Sequence, residues 1–152
     1  VVEPEVPAGD ALATFNFGDN GEAAHVDGSD LGASTSYTSG DYTLELTGMS
    51  KVFGPASDAK GNSCIKLGTS SKVGTFSFTV PENVTEVVIY VAQYKANTTK
   101  INVNGTDYTI TTASNNGEYT AITIDTTTTK TVTFTTVSGG ARCMIDTIEY
   151  KG

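Results

Sequence analysis

From residue 12 onward, apolar side chains recur at every second position and the residues between them are mostly threonine. Thr75-Phe76-Ser77-Phe78-Thr79-Val80 and Thr131-Val132-Thr133-Phe134 show the pattern most plainly. A period of two is that of a pleated strand with one face buried and one face wet, and it is incompatible with the 3.6-residue stripe of an amphipathic helix. Residue usage agrees with this. Twenty-six threonines stand against five leucines, and β-branched side chains favour strands over helices.

The same alternation marks Leu12–Phe17, Tyr42–Thr47, Cys64–Leu67, Ile101–Val103, Tyr108–Ile110 and Ile122–Ile124. Val87–Ala92 is apolar throughout, as a central strand should be, and Arg142–Tyr150 closes the series. Asn104-Gly105 between two alternating runs predicts a tight hairpin. Asn115-Asn116-Gly117 and Ser138-Gly139-Gly140 predict further turns. Leu12–Phe17 stops at Gly18-Asp19-Asn20-Gly21, the next stretch, to Asp41, is expected to form a long loop with room for one short strand, and residues 48–61 a second loop. About ten strands at this spacing, with no helix between them, predict an all-β antiparallel β-sandwich. Residues 12–152 are expected to be a single module. The Glu-Pro and Val-Pro dipeptides before it suggest an inter-domain linker over residues 1–11, and hence further domains in the same parent chain.

Formal net charge is −8. Such a field repels nucleic acid and anionic membranes, and no apolar run is long enough for a membrane-spanning helix, so neither partner is expected. Low charge with abundant threonine accompanies extracellular bacterial modules, and a secreted monomer is the expectation. Cys64 and Cys143 are read either as two small buried side chains or as one disulfide. Catalysis is not expected. His25 is the one histidine and sits in a Gly/Ser/Asp-rich stretch without a visible orienting partner. Glu45 and Glu149 fall on outward strand positions.

Three segments carry a family resemblance. Gly74-Thr75-Phe76-Ser77-Phe78-Thr79-Val80-Pro81, Lys100-Ile101-Asn102-Val103-Asn104-Gly105 and Met144-Ile145-Asp146-Thr147-Ile148-Glu149-Tyr150 resemble strands and turns of jelly-roll carbohydrate-binding modules. Those modules are attached to secreted polysaccharide-degrading enzymes or surface proteins of gut and rumen bacteria. The resemblance covers about half the chain, from Ser71 to Tyr150. It implies a jelly-roll topology, a non-catalytic polysaccharide-binding role and a structural calcium, for which Asp146 would be a ligand with Asp19, Asp41 or Asp58. One departure matters. The chain has no tryptophan, so sugar stacking falls to Tyr and Phe, and polar or charged contacts must carry more of the affinity.

Ligand contact is therefore expected from long and aromatic side chains that leave the core: Lys51 and Phe53 in the 48–61 segment, Lys66 between Ile65 and Leu67, Tyr94 and Lys95 at the exit of the central strand, and Arg142 at the start of the last. Lysine and arginine in this set suit the carboxylates of an acidic polysaccharide such as a polyuronate. The competing expectation is a structural or adhesive spacer domain, in which Phe53 caps the core and the lysines only solubilise.

Overall fold

The computed structural model describes residues 11–17, 29–58, 60 and 63–152. The linker expected over residues 1–11 lies outside these, apart from Ala11, as do His25 and Asp19. Thirteen strands are described: β1 Ala11–Asn16, β2 Ser29–Asp30, β3 Thr35–Ser39, β4 Tyr42–Ser50, β5 Val52–Ser57, β6 Ser63–Leu67, β7 Thr75–Thr79, β8 Glu86–Gln93, β9 Thr99–Val103, β10 Thr106–Ile110, β11 Thr120–Asp125, β12 Thr131–Thr136 and β13 Cys143–Lys151. The only helical element among the described residues is one 3-10 turn at Ser114–Asn116, so none is long and apolar enough to cross a membrane.

The strands form two antiparallel sheets. The first runs β11-β8-β13-β6-β5-β2, with β1 added to β13 beyond the end of β6; the second runs β10-β9-β12-β7-β4-β3. After almost every strand or hairpin the chain crosses to the other sheet, which makes the fold a jelly-roll sandwich. Strand β13 pairs with β8 along its whole length, with β6 at Cys143–Ile145 and with β1 at Thr147–Lys151.

The inner faces are those the alternation marks. Phe15, Phe17, Leu44, Leu46, Ile65, Leu67, Phe76, Phe78, Ile101, Val103, Ile122, Ile124, Val132 and Phe134 are all buried in one continuous core. Phe76 and Phe134 stack with centroids 5.1 Å apart, and Phe15 meets the Tyr150 ring edge-on at 4.9 Å. On the outside of the second sheet the threonines bond to one another. Ser77 pairs with Thr133 (2.7 Å) and Thr79 with Thr131 (3.2 Å), so this hydroxyl surface knits neighbouring strands.

Asn104-Gly105 forms the expected two-residue hairpin, with both residues at positive φ (50° and 90°) and Val103 opposite Thr106. Such a turn needs positive φ at both central positions. Two expectations are corrected. The stretch before Asp41 holds two strands, β2 and β3. Residues 48–61 hold the end of β4 and all of β5 instead of a loop. There, Gly54-Pro55 obscures an alternation that is present, since Val52 and Gly54 face inward while Phe53 faces out. The register shift between Phe53 and Ala56 is the bulge that admits a proline, which has no N–H to give a ladder.

The Phe76–Phe134 stack spans the paired strands β7 and β12 at the centre of the second sheet. Phe134→Ala should cost about 3–5 kcal/mol. Urea denaturation would show this as a lowered midpoint with little change in slope.

Candidate functional site

Five of the six residues expected to contact ligand meet on the outer face of the first sheet. Backbone pairing explains how. Phe53 on β5 is opposite Lys66 on β6, and Lys66 is opposite Met144 on β13, so the three lie in one row across the strands. The next row begins where β5 and β13 begin. The Gly68 N–H donates to the Lys51 carbonyl (2.8 Å), and the Tyr94 N–H donates to the Arg142 carbonyl (3.2 Å). Outward side chains of adjacent rows then converge across the sheet.

Their geometry is a ring of cations on aromatic faces. The Arg142 guanidinium carbon lies 4.4 Å from the Tyr94 ring centroid. Lys66 Nζ lies 5.0 Å from the same centroid and 4.8 Å from that of Phe53, so it bridges the two rings. Lys95 Nζ approaches Tyr94 at 5.5 Å. All are within the ~6 Å reach of a cation–π contact. Lys51 continues the second row through its backbone at φ 55°, but no ring contact among the described residues involves it. Phe53, Lys66, Tyr94 and Arg142 are all partly exposed, so the rings remain open to a ligand.

The loops that hold Arg142 are tightly packed. A side chain at Gly139 would meet the Ser71 backbone at 2.6 Å, and the Gly140 N–H donates to the Thr69 carbonyl (2.9 Å). The Arg142 carbonyl also accepts from the Thr99 hydroxyl. Gly68, lacking a side chain, leaves room for the Arg142 stem beside it. Lys95 is fixed in a left-handed turn (φ 58°) by its N–H donating to Ser114 Oγ (2.8 Å).

Electrostatically the cluster is lopsided. Burial, and then the nearby Arg142 charge, pull the Lys66 ammonium below its ordinary value. Among the described residues no carboxylate pairs with Lys66, Lys95 or Arg142, and Arg142 Nε is buried with no hydrogen-bond partner. Four of the nine Lys and Arg of a chain with net charge −8 are thus gathered in two adjacent rows.

Beside this cluster, on the same outer face, lies a polar group of which the sequence marks only the acids Asp58 and Asp146. Tyr119 donates its hydroxyl to Asp58 Oδ2 (2.8 Å) and lies 3.0 Å from Cys64 Sγ, which lies 4.0 Å from Asp146 Oδ1. Asp58 also accepts from the Lys60 N–H, and Asp146 from the Thr147 hydroxyl. Burial, partly opposed by the Tyr119 hydrogen bond, pushes the Cys64 thiol up to about 12. A thiol so placed is protonated and inert as a nucleophile. Cys64 and Cys143 are not joined in a disulfide. Their strands pair as expected, but Cys143 lies in the core while Cys64 faces outward, so they do not bridge.

For calcium, the cluster brings Asp58 and Asp146 to one spot as the resemblance implies, whereas Asp41 is exposed at the β3–β4 turn. Two carboxylates with a thiol between them fall short of the six to eight oxygens calcium takes. Among the described residues no group of three acidic, histidine or cysteine side chains is arranged for a metal. A different concavity, of about 320 Å3, lies on the second sheet and is lined by Thr43, Glu45, Thr47 and Thr79. It offers hydroxyls and a carboxylate but no aromatic ring.

No protein-family model matches the chain, and no curated protein matches it. Solved structures similar to it include the CBM6-3 module of Clostridium stercorarium in complex with cellobiose, at 15% identity and a TM-score of 0.41 over 91% of this chain and 92% of that one. Another is the CBM36-1 domain of a multidomain xylanase from the hindgut metagenome of Trinervitermes trinervoides, at 9% identity and a TM-score of 0.42 over 91% and 95%. A CBM36 carbohydrate-binding module in complex with calcium and xylotriose matches at 15% identity and a TM-score of 0.35 over 57% and 79%.

The raised Cys64 thiol fixes a pH dependence. Above its ordinary value of 9.0 the unfolded chain loses the thiol proton while the folded chain keeps it to about 12, so stability falls as pH rises through that window. Raised Tyr90, held by its hydrogen bond to Glu149, acts in the same direction. Urea midpoints measured from pH 8 to 11 should decline, and Cys64→Ala should flatten the decline. The native protein should show almost no thiol reactive to Ellman's reagent, and the unfolded protein two.

Proposed function

We propose that the chain is a non-catalytic carbohydrate-binding module whose binding surface is the patch formed by Phe53, Lys66, Tyr94, Lys95 and Arg142, with Lys51 at its margin. The observation that carries this reading is the pair of partly exposed rings, Phe53 and Tyr94, joined by the Lys66 ammonium and set on a rigid sheet face. An aromatic face receives the CH groups of a pyranose, and flanking N–H donors receive its oxygens. Rigidity matters because side chains already held in place lose little further freedom on binding. The threonine-lined concavity of the second sheet has no ring to stack on, and the neighbouring hydroxyls bond to one another.

A non-catalytic role is supported by the neighbouring ionisable cluster, in which Cys64 is held protonated and Tyr119 is pushed well up by burial. In this reading the module acts as a monomer outside the cell. It keeps a secreted enzyme or surface protein, with its other domains, against a plant or host polysaccharide. The linker over residues 1–11 belongs to the same reading, as does a calcium on Asp146 and Asp58 whose remaining ligands would have to be backbone carbonyls and water. Calcium added to chelator-treated protein should then raise its melting temperature, and an unchanged melt would remove the ion from the account.

Affinity electrophoresis through gels containing pectin, xylan, β-glucan or host glycans tests the binding role. Retardation by at least one polymer is expected. Tyr94→Ala and Phe53→Ala should each weaken it, on the order of tenfold for a lost stacking face. Thr47→Ala on the opposite sheet should leave it unchanged. Retardation by none of the polymers, with the protein folded, would instead favour a spacer domain.

A further inference from the structure

We infer that the site recognises an acid group: its ligand is a hexuronate-bearing glycan whose ring carboxylate is taken by Arg142 and Lys66 while the sugar face covers Tyr94 and Phe53. The inference rests on the carbohydrate-binding reading and names its substrate class. Three features of the cluster point to an anion. Its cations have no carboxylate partner among the described residues, although the protein as a whole carries an excess of acids. Among the described residues the buried Arg142 Nε–H has no acceptor. A buried donor without an acceptor is costly, so the guanidinium gains by turning toward a ligand oxygen. Lys66, Lys95 and Arg142 also crowd round one ring, which sets like charges beside one another, and an incoming negative charge offsets that repulsion. Burial first, and then the Arg142 charge, lower the Lys66 ammonium.

The form of the anion follows from the donors. A guanidinium presents a planar fork that matches the two oxygens of a carboxylate. The rings beside it need a flat, partly apolar face, and a hexuronate carries both groups on one residue. Nucleic acid offers bases and phosphates too, but binding it takes a basic groove that follows the backbone over several nucleotides. Here the cations are confined to one patch on an acidic protein. That acidity also repels a long polyuronate, so short oligomers are the cleaner probe.

The test is calorimetry with trigalacturonate, its full methyl ester, a sulfated galactan and a short oligothymidylate. Esterification keeps the rings and removes the charge. The inference expects the ester to bind at least about tenfold more weakly than the acid, the size of one lost charge-assisted contact. It also expects Arg142→Lys, which keeps the charge and loses the fork, to weaken the acid more than the ester. Equal binding of acid and ester overturns the acid-group inference and leaves the carbohydrate reading standing. Equal or tighter binding of the sulfated galactan shows attraction without carboxylate recognition, and tighter binding of the oligothymidylate shows a nucleic-acid site; either overturns it. Failure of these and of all neutral glycans overturns both readings.

Discussion

The backbone pairing of strand β13 is the interaction on which the rest of the structure depends. It is hydrogen-bonded to β8 on one side and to β6 and then β1 on the other, so it joins the first and last parts of the chain in one sheet. Its inward residues, Cys143, Ile145, Ile148 and Tyr150, are buried in the common core. The same register sets the outer face. Once Ile145 is opposite Ile65, Met144 must be opposite Lys66, and the first residue beyond the strand, Arg142, must arrive beside Tyr94. A slip of one residue would turn every one of these side chains to the other face.

This explains how an acidic chain gathers cations. Lys66 stands at an outward position because Ile65 and Leu67 are needed inward, Arg142 because it precedes the inward Cys143, and the strand pairing brings both beside Tyr94. Close packing then removes their freedom. Gly139 sits against the Ser71 backbone, and Ser114 fixes the Lys95 turn. The arrangement works against stability, since like charges adjoin and a buried guanidinium donor has no acceptor among the described residues. Structural needs alone do not call for such a set. Departures of this kind concentrate where a fold meets a ligand.

Much of this was legible in the sequence. Period-two alternation marked the inner face, because burial on one side of a sheet forces it, and Asn104-Gly105 marked its hairpin through the backbone angles it demands. The outward placement of the proposed site residues was legible in side chains that had to leave the core: Lys66 between Ile65 and Leu67 is the clearest case. What was hidden depends on distance along the chain. Strand β5 reads as loop because Gly54-Pro55 interrupts its pattern, and its pairing with β6 and β2 shows it to be a strand. The link between Tyr119, Asp58, Cys64 and Asp146 joins four separate segments, and no local pattern connects them. The acids Asp58 and Asp146 were its only visible signs.

The central claim is that glycan meets the outer face of the first sheet, on Phe53 and Tyr94. Amide and side-chain chemical-shift mapping during titration with a bound oligosaccharide measures this most directly. The account predicts shifts concentrated at Phe53, Lys66, Tyr94, Lys95 and Arg142, with the Thr43, Glu45, Thr47 and Thr79 surface unchanged. Shifts confined to that threonine-lined surface, with the aromatic patch silent, would contradict it.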